Sequence, residues 1–243
     1  MTLSPRTSPS PPRTSRPRGR VPAPGAGPRA VVVGARKERR SARPGGGVRP
    51  VAVAVTGSIG AGKSEVLAAF ARHGAAVISS DEIVHRLLRE DPAVKGAIVE
   101  RLGERVLGED GEIVRARVAE LVFSDPESLR WLEALLHPRV VTTYLRWREE
   151  LRASDDPPAV CVTEVPLLYE VGGDARFDAV VAVTASPEVR AARVGRPVSD
   201  RERRLLPDSE KVARADFAYV NEGSLEDLDT FVSGVMGTLT RSS

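Results

Sequence analysis

The sequence contains one cysteine, Cys161, in 243 residues, a scarcity that excludes an internal disulfide and a thiolate zinc cluster. A reducing compartment is expected, with the cytoplasm as the default. No apolar run approaches the roughly 18–20 residues that a membrane-spanning helix needs. The longest, near Val51 and Val180, are strand-sized, so a membrane protein is not expected. Asparagine is equally scarce: Asn221 is the only one, and no Asn-Lys pair exists from which to build the Asn-Lys-x-Asp element of a GTPase. There is also no internal repeat.

Charge is plentiful but divided. The whole chain has 36 Lys and Arg against 33 Asp and Glu, a formal net charge of +3. Residues 1–50 hold 11 arginines and Lys37 against only Glu38, so that stretch alone carries +11. The remaining 24 basic and 32 acidic side chains give residues 51–243 a balance of −8. The sequence pI near 9.3 therefore reports the first fifty residues and says nothing of the folded part. A nucleic-acid partner is not expected, because a groove for phosphate backbone needs its basic groups on one folded face. Residues 1–50 also hold 10 of the 19 prolines, and such a segment cannot bury enough apolar surface to offset chain entropy. Residues 1–49 are thus expected to be a disordered basic arm, with only Ala30–Val33 strand-like. The arm is Arg- and Ser-rich like an organellar targeting peptide, but its prolines and glycines oppose the amphipathic helix such a peptide forms. A dispensable arm is the simplest expectation.

From Pro50 the pattern changes. Val51 to Val55 is a continuous apolar run ending at Thr56-Gly57, as in a strand of a parallel sheet buried on both faces. Lys63 to His73 repeats apolar residues at helical spacing and stops at Gly74, and Ala75 to Ile78 reads as a second strand, completing a right-handed βαβ unit. Short helices are expected at Ile83–Leu88 and Pro92–Leu102, then three more near Val114–Phe123, Pro126–Leu136 and Pro138–Leu151, with prolines in the first turns of the last two. They form a helical insertion at about residues 91–155. Strands at Ala159–Val165, Asp178–Thr184 and Phe217–Val220 complete a five-stranded sheet, and an amphipathic helix near Leu225–Leu239 packs on it. The expected fold is α/β: a P-loop NTPase-like three-layer α/β/α domain over residues 50–243 with a five-stranded parallel sheet.

The chemistry lies in Gly57-Ser58-Ile59-Gly60-Ala61-Gly62-Lys63-Ser64, which fits G-x-x-x-x-G-K-[ST] and sits between a buried strand and a helix, where that pattern has meaning. The glycines let successive backbone N–H groups surround a phosphate, and the helix starting at Lys63 adds its free amides and dipole. Lys63 is expected to reach the β- and γ-phosphates of a nucleotide, and the Ser64 hydroxyl to ligate Mg²⁺ bridging them. A phosphate loop does not choose among GTPases, motor ATPases and kinases. The missing guanine element disfavours the first, and the later strand ends Val162-Thr163-Glu164-Val165-Pro166 rather than in the Asp-Glu of the second. A kinase remains. Asp81, three residues beyond the second strand, projects from the strand's carboxyl end, where ligands gather in such sheets. A carboxylate there can orient an acceptor hydroxyl and accept its proton; the competing use of Ser79, Ser80 or Asp81 is as a helix cap.

Over nearly all of residues 51–243 the chain resembles the dephospho-CoA kinases. Thr56 to Ser64 is similar to that family's TGGIGSGKS, Val77-Ile78-Ser79-Ser80-Asp81 to its VIDAD, Leu136-His137-Pro138 to its LHP, and Val165-Pro166-Leu167-Leu168-Tyr169-Glu170 to its IPLLFE. Pro207 with Glu210-Lys211 resembles its QMP-x-x-EK, and Ala215-Asp216 followed by Val220-Asn221-Glu222-Gly223 its AD-x-x-I-x-N-x-G. The resemblance implies ATP-dependent phosphorylation of the ribose 3′-hydroxyl of dephospho-CoA, with ADP and coenzyme A as products and Mg²⁺ as the metal. It implies that Asp81 is catalytic, that the helical insertion with His137 and Leu167 holds the acceptor, and that Glu65 and Asn221 join the phosphate loop around the nucleotide. Arg190, Arg193, Arg196 and Arg201 fall in the family's lid, here about 186–207 and short; Arg193 and Arg201 are the two expected to act on the transferring phosphoryl group. Ser79 departs from the first aspartate of VIDAD, Leu205 from the glutamine of QMP, and Glu164 stands near where the family often has aspartate. Rival expectations are another P-loop small-molecule, nucleoside or nucleotide kinase, or a non-catalytic nucleotide-binding protein that uses its arm on nucleic acid.

Overall fold

A computed structural model describes residues 30–31, 49–195 and 205–241. Its strands are β1 (Ala30–Val31), β2 (Val51–Gly57), β3 (Ala76–Ser79), β4 (Val160–Glu164), β5 (Ala179–Thr184) and β6 (Phe217–Val220). The helices are α1 (Lys63–Arg72), α2 (Ser80–Glu90), α3 (Pro92–Leu102), α4 (Arg115–Ser124), α5 (Pro126–Arg152), α6 (Pro187–Val194), α7 (Asp208–Arg214) and α8 (Leu225–Arg241). The sheet order is β1-β6-β5-β2-β4-β3, with β2 to β6 parallel.

The alternation Val51-Ala52-Val53-Ala54-Val55 decides how the sheet is covered, because successive strand side chains point to opposite faces. The valines lie in a cluster with Val66 and Phe70 of α1 and Leu228, Phe231, Val232 and Val235 of α8. The alanines face the other way, into a cluster filled by Ile83 of α2, Val140 and Tyr144 of α5, and Phe177. Two covered faces make the three-layer α/β/α fold, and they explain why β2 reads as apolar without interruption. Cys161 lies in the second cluster, where burial pushes its thiol up to about 11, so it serves as a small apolar filler.

Two features differ from the sequence expectation. The sheet has a sixth strand: Ala30–Val31, within the basic segment, pairs antiparallel with Tyr219 and Ala218 of β6. The rest of residues 1–48 lies outside the described residues, as does segment 196–204 of the expected lid. The second correction is that the helices expected on either side of Pro138 are one, α5, with Pro138 inside it. The proline ring removes one backbone donor, but Leu136 packs in the cluster made by α3 and α4 while Val140 and Tyr144 pack against the sheet. Burial on both sides holds the helix continuous, and the Arg139 guanidinium, 2.7 Å from the Leu135 carbonyl, supplies a donor beside the gap.

Ile83 fixes α2 on the sheet two residues beyond Asp81, with no exposed surface. Ile83→Ala is expected to destabilise the protein by about 2–5 kcal/mol through the lost transfer energy and the cavity left behind, measurable as a lower urea midpoint with little change in slope.

Candidate active site

Strand β2 sits between β4 and β5, while its crossover through α1 leads past β4 to β3; the connection from β4 leads back the other way to β5. Connections that leave neighbouring strands in opposite directions open a crevice at the carboxyl ends of β2 and β4. The residues at that level follow from register: Ser79 of β3 lies opposite Glu164 of β4, and Glu164 opposite Val55 of β2.

The phosphate loop follows β2 directly. Gly57 has φ 150° and Gly62 φ 87°. A Cβ at Gly57 would land on the backbone oxygen of Val183, and one at Gly62 on the Asn221 amide nitrogen. Gly62→Ala therefore forces a left-handed conformation that costs about 1–2 kcal/mol for a residue with a Cβ, and displaces Asn221, whose Nδ2 donates to the Ala61 carbonyl at 2.9 Å. The expected outcome is nucleotide affinity about tenfold weaker, the equivalent of ~1.4 kcal/mol, read by titration with a fluorescent nucleotide.

Lys63 opens α1 and is buried, its Nζ donating to the Ser58 carbonyl at 3.2 Å and standing 3.8 Å from Glu164 Oε1. Burial pulls its ammonium below the ordinary lysine value, while the carboxylates of Glu164 and then Asp81 act to raise it. Glu164 is likewise pushed above the usual carboxylate range by burial, against the opposing field of Lys63 and the hydrogen bond from Ser79. Ser79 Oγ donates to Glu164 Oε2 at 3.0 Å and also accepts the Asp81 N–H at 3.2 Å. Ser80 Oγ donates to the Glu164 carbonyl at 2.6 Å. Ser79 is thus the cap of α2, which leaves the Asp81 carboxylate out of that duty. Asp81 is exposed in the first helical turn, close enough for its field to act on both Lys63 and Glu164.

The other expected site residues divide. Ser64, Glu65 and Ile59 are exposed at the loop and at the start of α1, Ser58 and Ala61 are buried, and Gly60 is half-buried. Asn221 is 6% exposed and supports the loop from behind. Arg193 NH2 donates to the Asn221 carbonyl at 2.9 Å, with NH1 reaching the Gly60 carbonyl at 3.3 Å and that of Ala61 at 3.4 Å, so its guanidinium braces the loop. His137 is exposed on α5; Leu167 is half-buried after β4, and Leu168 is fully buried. Arg196 and Arg201 lie outside the described residues. Glu164, Asp208 and Lys211 were not assigned to the site from sequence, although the last two flank Glu210 in a stretch that the resemblance marks. Asp208 accepts a hydrogen bond from Ser58 Oγ, and the buried Lys211 ammonium pairs with Glu170 Oε1 at 2.9 Å. Glu164 is legible in the sequence as the acidic end of a strand, near where the family often has aspartate.

Among the described residues, the Ser64 hydroxyl and the Asp81 and Glu164 carboxylates offer oxygen at the crevice, beside the Lys63 ammonium. That donor set fits a hard divalent cation shared with phosphates, although no group of three or more His, Cys, Asp or Glu among the described residues could hold one alone. A buried cation, a glycine-built amide cradle and an uncommitted carboxylate in one crevice suit phosphoryl transfer, which needs positioning and charge stabilisation more than covalent help.

The comparisons agree with this chemistry. A dephospho-CoA kinase of Streptomyces avermitilis is 36% identical over 194 residues, spanning 77% of this chain and 93% of its own. One from Protochlamydia amoebophila is 35% identical over 183 residues, 72% of this chain and 90% of its own. The crystal structure of TT1252 from Thermus thermophilus superposes with a TM-score of 0.63 at 36% identity, covering 79% of this chain and 99% of that one. The dephospho-CoA kinase family model matches residues 51–227, the stretch that carries β2 to β6 and every side chain placed in the crevice, and the chain belongs to the dephospho-CoA kinase family.

Proposed function

We propose that the crevice transfers the γ-phosphoryl group of ATP to the ribose 3′-hydroxyl of dephospho-CoA, giving ADP and coenzyme A. Residues 57–64 hold the triphosphate through backbone amides, and the Lys63 ammonium stabilises charge on the β- and γ-phosphates. Asp81 orients the acceptor hydroxyl and receives its proton as the oxygen–phosphorus bond forms. Ser64, with Asp81 or Glu164 through water, would hold Mg²⁺, which when bound supplies charge neutralisation to the phosphates. Glu65 lies beside the nucleotide, and His137 and Leu167 face the acceptor. Arg193 and Asn221 serve nucleotide binding by bracing Gly60 and Ala61, and Arg201 is assigned to the transferring group by the resemblance alone.

The observation that carries this reading is the buried Lys63 ammonium, 3.8 Å from Glu164 Oε1, at the crevice where Ser79 takes the cap of α2 and leaves the Asp81 carboxylate out of that duty. The reaction and the single buried thiol fit the cytoplasm, and no described helix is long and apolar enough to cross a membrane. The basic arm takes no part in transfer. A panel assay tests the assignment: with ATP, the protein is expected to add one phosphoryl group to dephospho-CoA and to leave adenosine, nucleotides and small sugars unmodified, read by mass spectrometry. Phosphorylation of a nucleoside or nucleotide but not of dephospho-CoA would reject it. Removing residues 1–47, and β1 with them, is expected to leave turnover within about twofold, because β1 is an edge strand separated from β2 by β6 and β5.

A further inference from the structure

Lys211 stands in the middle of α7 with its side chain 0% exposed, a position an ammonium rarely occupies unless it is held. Its Nζ is 2.9 Å from Glu170 Oε1 but makes no well-directed hydrogen bond. The same Glu170 oxygen accepts the Leu206 N–H at 3.1 Å. Glu170 therefore grips both the approach to α7 and its centre. Asp208 lies three residues before Lys211, on the same helical face, and its carboxylate accepts the hydroxyl of Ser58. Ser58 is buried in the first turn of the phosphate loop, and its carbonyl in turn accepts the Lys63 ammonium. Two contact chains, Glu170–Lys211 and Asp208–Ser58–Lys63, are thus joined through the backbone of α7. Lys211 and Asp208 also bear on Lys63 with opposite signs, Lys211 opposing its charge and Asp208 supporting it.

Stability alone does not account for this arrangement. A buried ion pair gains little over an apolar pair of similar volume, and a carboxylate beside a phosphate-binding loop opposes the charge of the ligand. An asparagine at 208 would accept the same hydrogen bond without that penalty. We propose that Glu170 and Lys211 are positioning residues for phosphoryl transfer, seating α7 so that Asp208 fixes Ser58 and, through the Ser58 carbonyl, aims Lys63 at the nucleotide. This rests on the assignment of residues 57–64 as the ATP site. It adds a second support to the loop, at Ser58, where Arg193 and Asn221 hold Gly60 and Ala61.

The test is a double-mutant cycle on the whole chain with Lys211→Met, Asp208→Ala and the two combined, alanine being unable to accept the Ser58 hydroxyl. Each single variant is expected to raise the KM for ATP by about tenfold, the equivalent of a modest coupling energy, while the KM for dephospho-CoA stays within about twofold. Because both act through Ser58, the combined variant is expected to be no worse than the poorer single one. Fold-changes that multiply, equal changes in both KM values, or an ATP KM within twofold of wild type overturn the proposal. If Lys211→Met does not fold, Glu170→Gln/Lys211→Met, which removes both buried charges together, takes its place in the cycle under the same criteria. Titration of each variant with a fluorescent ATP analogue reports the loop without any acceptor. Loss of analogue affinity in the variants supports the proposal even if wild-type protein proves inactive on dephospho-CoA, a result that would sink the assigned reaction alone.

Discussion

Lys63→Met is expected to lower kcat by about 10²–10³-fold, the usual loss when one preorganised donor to developing charge is removed. The side chain is 9% exposed and already held by the Ser58 carbonyl, so the ammonium meets the phosphates without having to be ordered first. Methionine keeps the length and most of the volume while deleting the charge. Its removal also strips Glu164 of the cation that counters its burial, so the carboxyl group takes up a proton more readily. The melting temperature is expected to move little, because burying an ammonium is itself costly and its loss offsets the broken ion pair. Steady-state assays beside a thermal melt check this. A loss confined to the KM for ATP, with kcat intact, would mean that Lys63 binds the ground state and does not act on the transferring group.

Asp81→Asn is expected to lower kcat by about 10²–10⁴-fold, the range for loss of a positioned proton acceptor. Asparagine preserves the shape and one acceptor oxygen but cannot take the proton. The change also removes an acid from the first turn of α2, worth about 0.3–1 kcal/mol against the helix dipole. The two magnitudes separate the possible roles: a first-turn charge alone would give a small stability loss and no kinetic effect. Because Ser79 caps the helix, Asp81→Asn leaves the cap in place, whereas Ser79→Ala is expected to destabilise α2 by about 1 kcal/mol. Measuring kcat and unfolding midpoints for both variants places each residue in its role.

Local pattern carried much of the fold. The run from Val51 to Gly57, the glycine loop and the amphipathic spacing of α1 are contiguous, so β2, the loop and α1 are readable from sequence and lie where expected. Asp81 was reachable for the same reason, since a residue shortly after a parallel strand must emerge at its carboxyl edge. The placement of β4 and β5 on either side of β2 was not readable, because nothing within a strand names its neighbour. Pro138 misled for a physical reason: a proline normally marks a helix start, and only burial of Leu136 on one side and Val140 on the other shows that α5 runs through it. The pairing of Glu170 with Lys211, and of Ser58 with Asp208, joins residues far apart in sequence and depends on α7 closing over the loop. Ala30–Val33 reads as strand-like, but nothing in so short a run says that Ala30–Val31 pairs with β6. Asn221 and Arg193 are expected from the resemblance to serve the nucleotide and the transferring group; here their side chains donate to carbonyls of Gly60, Ala61 and Asn221, an arrangement that no spacing encodes.

A crystal structure with dephospho-CoA and a non-hydrolysable ATP analogue bound together measures the arrangement on which the mechanism depends. The ribose 3′-oxygen is expected within hydrogen-bonding distance of an Asp81 carboxylate oxygen, about 2.6–3.2 Å, and in line with the γ-phosphorus held by residues 57–64 and Lys63. An acceptor ribose seated elsewhere, with the Asp81 carboxylate turned to solvent while both ligands are fully bound, would contradict it.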